Sequence, residues 1–165
     1  MAVQNISDHI TWGEAISSPT AKQKGISNVP DDNTLQNMKH VATNIFEKVR
    51  MHFGKPIKVT SFYRSAALNV AIGGSSTSQH VKGQALDMDG DVYGSPSNKE
   101  IFEYISKNLV FDQLIIEGIV KGSIAWIHCS LTKGTNRKQI LFMYSKNGKN
   151  VYEAFTETRY RELVS

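Results

Sequence analysis

The amino-acid sequence predicts an α+β fold in which helices pack against an antiparallel sheet. Helical periodicity dominates the first third of the chain, whereas short apolar runs typical of strands are concentrated in the last third. The links between those runs are too short for the crossover connections of a regular parallel sheet. With 165 residues, of which 40% are hydrophobic, the chain has the size and composition of one globular domain. We therefore expect a single domain over residues 1–165.

The first elements along the chain are predicted mainly by helical spacing of apolar side chains. Residues 11–24 are predicted to form one or two short helices with polar breaks. The clearest helix covers residues 32–52, where apolar side chains recur on one face, and Gly54 and Pro56 end it. The short apolar run that follows predicts a strand over residues 57–60.

The middle of the chain alternates between short elements and a flexible loop. A short helix is predicted over residues 65–71 and a loop of small residues over 73–78. A strand over residues 84–88 then leads out of that loop. An amphipathic helix is predicted over residues 98–108, because its apolar side chains share one face.

The C-terminal part is predicted to supply most of the sheet. Apolar runs over residues 113–116, 124–129 and 139–144 indicate strands, the first two separated by a turn with glycines. Residues 146–149 are typical of a tight turn. A final helix is expected over residues 157–164.

Charge and composition argue against several function classes. The 19 basic and 15 acidic residues give a net charge of +4, without a basic block interleaved with aromatics, so we expect no nucleic-acid partner. Cys129 is the single cysteine, which excludes an internal disulfide. No apolar stretch approaches the length of a membrane span, so we expect no membrane insertion. Residues 1–12 lack a basic region followed by an apolar run, so we expect no signal peptide.

Two of the five histidines lie in patterns that suit a metal site. His80 follows the loop of small residues, Asp87 lies on the predicted strand after it, and His128 lies on a separate apolar strand. Two imidazoles and one carboxylate are a donor set that catalytic zinc uses, with a further position left for water. The residues alone leave other interpretations open. His128 could be a core histidine, and Asp87 could be a turn residue in an acidic run that weakly matches a calcium loop.

A family resemblance favours the metal site. Residues 78–87, SQHVKGQALD, resemble the S-x-H-x-x-G-x-A-x-D signature of the zinc D-alanyl-D-alanine carboxypeptidases and related peptidoglycan endopeptidases, the M15 peptidase group. Residues 126–128, WIH, are similar to the second metal motif of that family. Shorter segments resemble the branch common in phages and prophages, and the resemblance spans about residues 8–131. It implies a fold like that of hedgehog proteins and DD-peptidases.

The resemblance also implies roles for individual residues. His80, Asp87 and His128 match the zinc ligands, so the expected cofactor is Zn²⁺. Arg64 matches an arginine that helps to stabilise the oxyanion or the substrate carbonyl, as a fixed guanidinium can, and its alternative is a surface salt bridge. Three further residues are expected to contact the substrate, namely Ser78, Gln79 and Trp126.

The general base is where this sequence departs from the family pattern. Several relatives carry an acidic residue three places before the last histidine, where this chain has Ala125. In the branch that the chain resembles, the acid lies at the end of the preceding strand, which is Glu117 here. We therefore predict Glu117 as the general base, with Asp112 as the second candidate and a surface role for Glu117 as the alternative.

The predicted activity is zinc-dependent hydrolysis of peptide bonds in bacterial peptidoglycan, in the stem peptide or the cross-bridge. The residues suit a D,D-carboxypeptidase and an endopeptidase equally. The alternative is a non-catalytic wall-binding or virion structural module on the same zinc-binding scaffold, which Ala125 would allow. The expected partners are peptidoglycan peptides, and we expect a monomer. Its expected location is the host or bacterial cytoplasm before release to the wall, or the virion.

Overall fold

A computed structural model describes residues 5–164 of the chain. The helices of this part are α1 Trp12–Ile16, α2 Pro19–Lys24, α3 Asp32–Val41, α4 Glu47–Phe53, α5 Ala66–Ala71, α6 Asn98–Asn108 and α7 Glu157–Val164. The strands are β1 Lys58–Ser61, β2 Ala85–Asp89, β3 Gln113–Glu117, β4 Trp126–Ser130, β5 Gln139–Lys146 and β6 Lys149–Ala154. The expectation of no signal peptide rests partly on residues 1–4, which lie outside this range.

The predicted α+β class is confirmed, and every predicted helix and strand exists with bounds shifted by at most about two residues. In residues 5–164 the strands form one sheet in the order β1-β2-β4-β3-β5-β6. All neighbours are antiparallel except β3 and β5, which are parallel. The sheet is therefore mixed rather than purely antiparallel. Strand β6 was not predicted, because most of its side chains are exposed and it lacks the apolar run of a buried strand.

The helix over residues 32–53 provides the main helical layer. Asp31 begins it, because its Oδ1 accepts a hydrogen bond from the backbone N–H of Thr34 at 2.7 Å. Helices α3 and α4 join through a π-helical segment at Ala42–Phe46, and Gly54 ends the run in a left-handed conformation with φ of 61°. Within the described part of the chain, no helix combines the length and apolar character that crossing a bilayer requires.

The two faces of the sheet have different roles. Because side chains alternate along a strand, one face of the central strands packs on α3 and α6. Its fully buried residues are Leu86, Met88, Leu114, Ile116, Ile127, Cys129 and Phe142. Burying an aliphatic or aromatic side chain of this size contributes about 1.5–3 kcal/mol each. The other face carries Asp87, His128 and Glu117, so the polar residues stand on a sheet that the core holds rigidly.

Candidate metal centre and cleft

Three buried side chains converge on the open face of the sheet. Asp87 on β2 lies directly opposite His128 on β4, and His80 lies in a 3-10 turn at Gln79–Lys82 just before β2. The Nε2 atom of His80 lies 3.2 Å from Nδ1 of His128 and 3.3 Å from Oδ1 of Asp87. The remaining distance, from His128 Nδ1 to Asp87 Oδ1, is 2.9 Å. Strand register and one tight turn therefore bring these three donor atoms together.

The chemistry of this donor set fits a divalent metal ion such as zinc. Tetrahedral zinc with nitrogen and oxygen ligands separates neighbouring ligand atoms by about 3.3–3.5 Å. The two distances from His80 Nε2, 3.2 and 3.3 Å, are close to this range, whereas His128 Nδ1 and Asp87 Oδ1 lie at the hydrogen-bond distance of 2.9 Å. Nδ1 of His80 lies 2.6 Å from the carbonyl oxygen of Phe62, so Nδ1 donates its proton there and Nε2 keeps a free lone pair. Acceptor atoms packed this closely repel one another unless a proton or a cation lies between them. Among residues 5–164, His80, Asp87 and His128 form a group that could hold a metal.

The Asp87 carboxylate is held in its ionised form. Burial would raise its pKa, but the imidazoles of His80 and His128, which lie against its Oδ1, outweigh burial and hold the pKa well below its ordinary value. Its second oxygen, Oδ2, accepts a hydrogen bond from Nη2 of Arg64 at 3.3 Å. Arg64 is itself fixed by a hydrogen bond from Nε to Ser61 Oγ at 3.1 Å. Arg64 thus orients Asp87 so that Oδ1 faces the two histidines.

Glu117 lies next to these donor atoms at the end of β3. It faces Trp126 across the β3–β4 pair, and its Oε2 accepts a hydrogen bond from the Trp126 indole Nε1 at 2.8 Å. Its other oxygen lies 4.0 Å from His128 Nδ1. Burial and the negative charge of Asp87 raise the pKa of Glu117, and the opposing effects of His128, Trp126 and Arg64 do not cancel this increase. A carboxylate with a raised pKa beside a metal donor set has the properties of a general base.

The structure places Asp112, the second candidate for the base, in a different network. Its Oδ2 accepts hydrogen bonds from Nη2 of Arg137 at 2.6 Å and from Nε2 of Gln79 at 2.9 Å. The hydrogen bonds from the Arg137 side chain lower the pKa of Asp112 to about 2, although burial acts in the opposite direction. The Gln79 amide, expected to contact substrate, is therefore engaged with Asp112. Ser78 begins the 3-10 turn next to it.

Comparison with known families identifies the chain. The sequence profile of the peptidase M15 family matches residues 8–130, which include the three donor residues and Glu117. The chain belongs to the peptidase M15 family. A search among curated proteins gives no match. M15 peptidases are metallopeptidases, which agrees with the buried His80, Asp87 and His128 group. The resemblance expected from residues 78–87 and 126–128 is therefore confirmed at the level of the family.

An open cleft of about 810 Å³ runs over the two histidine donors of this M15 family member. Arg64, His80, Glu117, Trp126 and His128 all line it. The segment at residues 72–79, which includes Ser78 and Gln79, contributes further lining, and so does the β5–β6 hairpin. A smaller recess of about 340 Å³ lies toward β1 and shares Arg64 and Trp126 with the cleft. Because β1 and β6 are the two edges of the sheet, the depression extends to both sides of the donor atoms.

Sequence reasoning missed the part of the cleft formed by the C-terminal hairpin. Leu141 and Met143 of β5 and Tyr152 of β6 line the cleft, and all three follow the matched region. The position of the hairpin depends on the sheet topology, which the sequence did not indicate. Strand β5 pairs in parallel with β3, and this pairing places the hairpin beside Glu117. Val151 and Tyr152, residue types common in strands, follow the predicted turn and were the available clue.

The signature glycine of this M15 peptidase is explained by close packing under the metal donors. Gly83 has φ of +66°, and a Cβ atom there would lie 2.7 Å from the carbonyl oxygen of Thr34 and 2.8 Å from Cγ of Met38. The backbone N–H of Gly83 also donates to the carbonyl oxygen of His80 at 3.1 Å. The turn that carries His80 therefore lies directly against α3, and only glycine leaves room for it.

Replacing Gly83 with alanine is expected to lower the free energy of unfolding by about 2–4 kcal/mol, measured by denaturant unfolding. Left-handed backbone strain and the contact with α3 both contribute. Gly25→Ala is the matched control, because Gly25 has φ of +62° and nothing within 4 Å of the added Cβ. We expect the control to lose only about 1–2 kcal/mol. Equal losses in the two variants would contradict the close packing of the turn against α3.

Proposed function

We propose that this M15 peptidase cleaves peptide bonds of bacterial peptidoglycan and that it depends on zinc. The observation that carries the proposal is the position of the Glu117 carboxylate, 4.0 Å from one of three converging donor atoms, in an open cleft. Three protein donors are the number that catalytic zinc typically has, but the donors alone supply no proton acceptor. A neighbouring carboxylate with a raised pKa supports hydrolysis, because it is the group that a proton-transfer step requires.

The proposed mechanism gives each of five side chains a task. His80, Asp87 and His128 would hold zinc, which when bound lowers the pKa of water and polarises a carbonyl group. Glu117 accepts the proton of the attacking water and later delivers it to the leaving amine. Arg64 lines the cleft beside Asp87 and stabilises negative charge that develops on the substrate carbonyl oxygen.

Trp126 and Ser78 are proposed to support this chemistry at the edges of the site. The Trp126 indole N–H fixes one oxygen of Glu117 and leaves the other toward the donor atoms. The Trp126 ring also lines both the cleft and the smaller recess, where it is available to a bound peptide. Ser78 lines the cleft and is proposed to form a hydrogen bond with substrate.

The extent of the depression favours endopeptidase cleavage. The cleft lies toward β5 and β6, the smaller recess lies toward β1, and the two share Arg64 and Trp126 near the donor atoms. A peptide that continues in both directions from the cleaved bond needs space on both sides of the metal. A carboxypeptidase needs such space on one side only. We therefore propose an internal bond of the stem peptide or cross-bridge as the substrate.

Metal removal tests this function. Zinc-loaded protein is expected to release free amino groups from purified peptidoglycan, a chelator is expected to abolish the release, and added zinc is expected to restore it. Mass spectrometry of the products identifies the bond that is cut. Cleavage that persists after the chelator has removed all metal would contradict metal dependence. Zinc-loaded protein that binds the wall without cleaving it would favour the non-catalytic wall-binding alternative.

A further inference from the structure

Tyr152 of β6 stands in the same row of side chains as the proposed base. Trp126 pairs with Glu117, Glu117 pairs with Met143, and Met143 pairs with Tyr152. Residues opposite each other on neighbouring strands project from the same face of a sheet. The row therefore runs across four strands on the face that carries the metal donors, and Tyr152 forms its outer end in the cleft.

The Tyr152 hydroxyl is a free hydrogen-bond donor over this cleft. The side chain is 57% exposed, and no residue between 5 and 164 forms a hydrogen bond with its hydroxyl. The other tyrosine of the hairpin differs, because Tyr144 projects from the opposite face and its hydroxyl donates to Glu153 Oε2 at 2.9 Å. Such a side chain offers an apolar ring and a hydrogen-bonding group to the same ligand.

The charges of the site act on the Tyr152 hydroxyl. Partial burial and the negative charge of Glu117 raise the pKa of Tyr152, Asp87 adds to the increase, and the positive charge of Arg64 opposes it. These effects require the phenol to lie near the carboxylates of the centre. The protonated phenol can donate a hydrogen bond to a carbonyl oxygen.

We propose that Tyr152 is a substrate-binding residue, whose hydroxyl donates a hydrogen bond to a carbonyl oxygen of the peptide that lies over the β5–β6 side of the cleft. The inference rests on the proposed function and extends it to a strand outside the matched family region, residues 8–130. Leu141 and Met143 provide an apolar surface next to this donor, which suits the backbone and small side chains of an extended peptide. Tyr152 thus belongs to the binding step and not to proton transfer.

Three variants of the zinc-loaded protein test the proposal, namely Tyr152→Phe, Tyr152→Ala and Tyr144→Phe. We expect Tyr152→Phe to raise KM for a peptidoglycan stem peptide about three- to tenfold, with kcat changed less than about twofold, because one hydrogen bond in the bound state is lost. Tyr152→Ala is expected to raise KM further. Tyr144→Phe is expected to leave KM unchanged, since its hydroxyl lies on the other face. The same three substitutions are also made in a Glu117→Gln background, where calorimetry measures the Kd of the peptide without turnover. These Kd values should rise in the same order as the KM values.

The two measurements separate failure of this proposal from failure of the proposed function. If wild type cleaves the peptide and both Tyr152 variants match it in KM and Kd, the role of Tyr152 is overturned and the function stands. If KM rises in Tyr152→Ala but not in Tyr152→Phe, the ring contributes by packing and the proposed hydrogen bond is overturned. Binding that weakens in Tyr152→Phe without any cleavage by wild type supports Tyr152 and overturns hydrolysis. Absence of both binding and cleavage in wild type overturns both.

Discussion

Replacing His128 with alanine is expected to abolish zinc binding and peptide hydrolysis together. The Nδ1 atom of His128 lies 3.2 Å and 2.9 Å from the other two donor atoms, so its loss leaves only His80 and Asp87. Catalytic zinc sites typically have three protein ligands, and this variant keeps only two. The change also removes the hydrogen bond between His128 and the buried Asp87 carboxylate. We expect this loss to lower the free energy of unfolding by about 1–3 kcal/mol.

Metal analysis and thermal unfolding measure this expected loss. Added zinc should raise the Tm of wild type, because a metal that binds only the folded chain stabilises it, and should leave the Tm of His128→Ala unchanged. His52→Ala is the control. His52 stacks on Tyr104 with 3.9 Å between the ring centroids, and among residues 5–164 it belongs to no group that could hold a metal. Full zinc occupancy in His128→Ala would contradict the assignment of His128 as a ligand.

The grouping of His80, Asp87 and His128 was predictable because its geometry is largely local. His80 and Asp87 belong to one short segment, and Gly83 between them has the left-handed φ and close contact with α3 that only glycine allows. A sequence pattern therefore records this part of the site directly. His128 is distant in sequence, but its apolar strand pairs with β2 so that it lies opposite Asp87. That register is a property of the folded sheet, and the sequence indicated it only through the family resemblance.

Contacts between distant loops could not be predicted in the same way. Gln79, predicted to contact substrate, lines the cleft, and its amide also donates to Asp112, which Arg137 binds. No periodicity or spacing connects residues so far apart, and the Arg137 contact also depends on how the loop after β4 returns to the sheet. The parallel pairing of β5 with β3 has the same origin. It brings Tyr152 over the cleft, although β6 itself has the exposed pattern of an edge strand.

Glu117→Gln is expected to lower kcat about 10²- to 10⁴-fold while zinc content and peptide Kd stay near those of wild type. Glutamine has nearly the same shape, and its carbonyl oxygen can still accept the hydrogen bond that Trp126 donates to Glu117 at 2.8 Å. The variant therefore removes the proton acceptor and leaves the metal donors in place. Steady-state kinetics, metal analysis and calorimetric binding together distinguish a chemical defect from a structural one.

Two further carboxylate-to-amide variants make this prediction specific. Glu153→Gln in β6 is the control, because Glu153 accepts hydrogen bonds from Tyr144 and Arg159 and is expected to retain full kcat. Asp112→Asn weakens the ion pair with Arg137, so we expect it to lower Tm with a smaller effect on kcat than Glu117→Gln. Near-normal turnover by Glu117→Gln would show that another group accepts the proton. A large loss of kcat in folded, zinc-loaded Asp112→Asn would then identify Asp112 as that group, despite its engagement with Arg137 and Gln79.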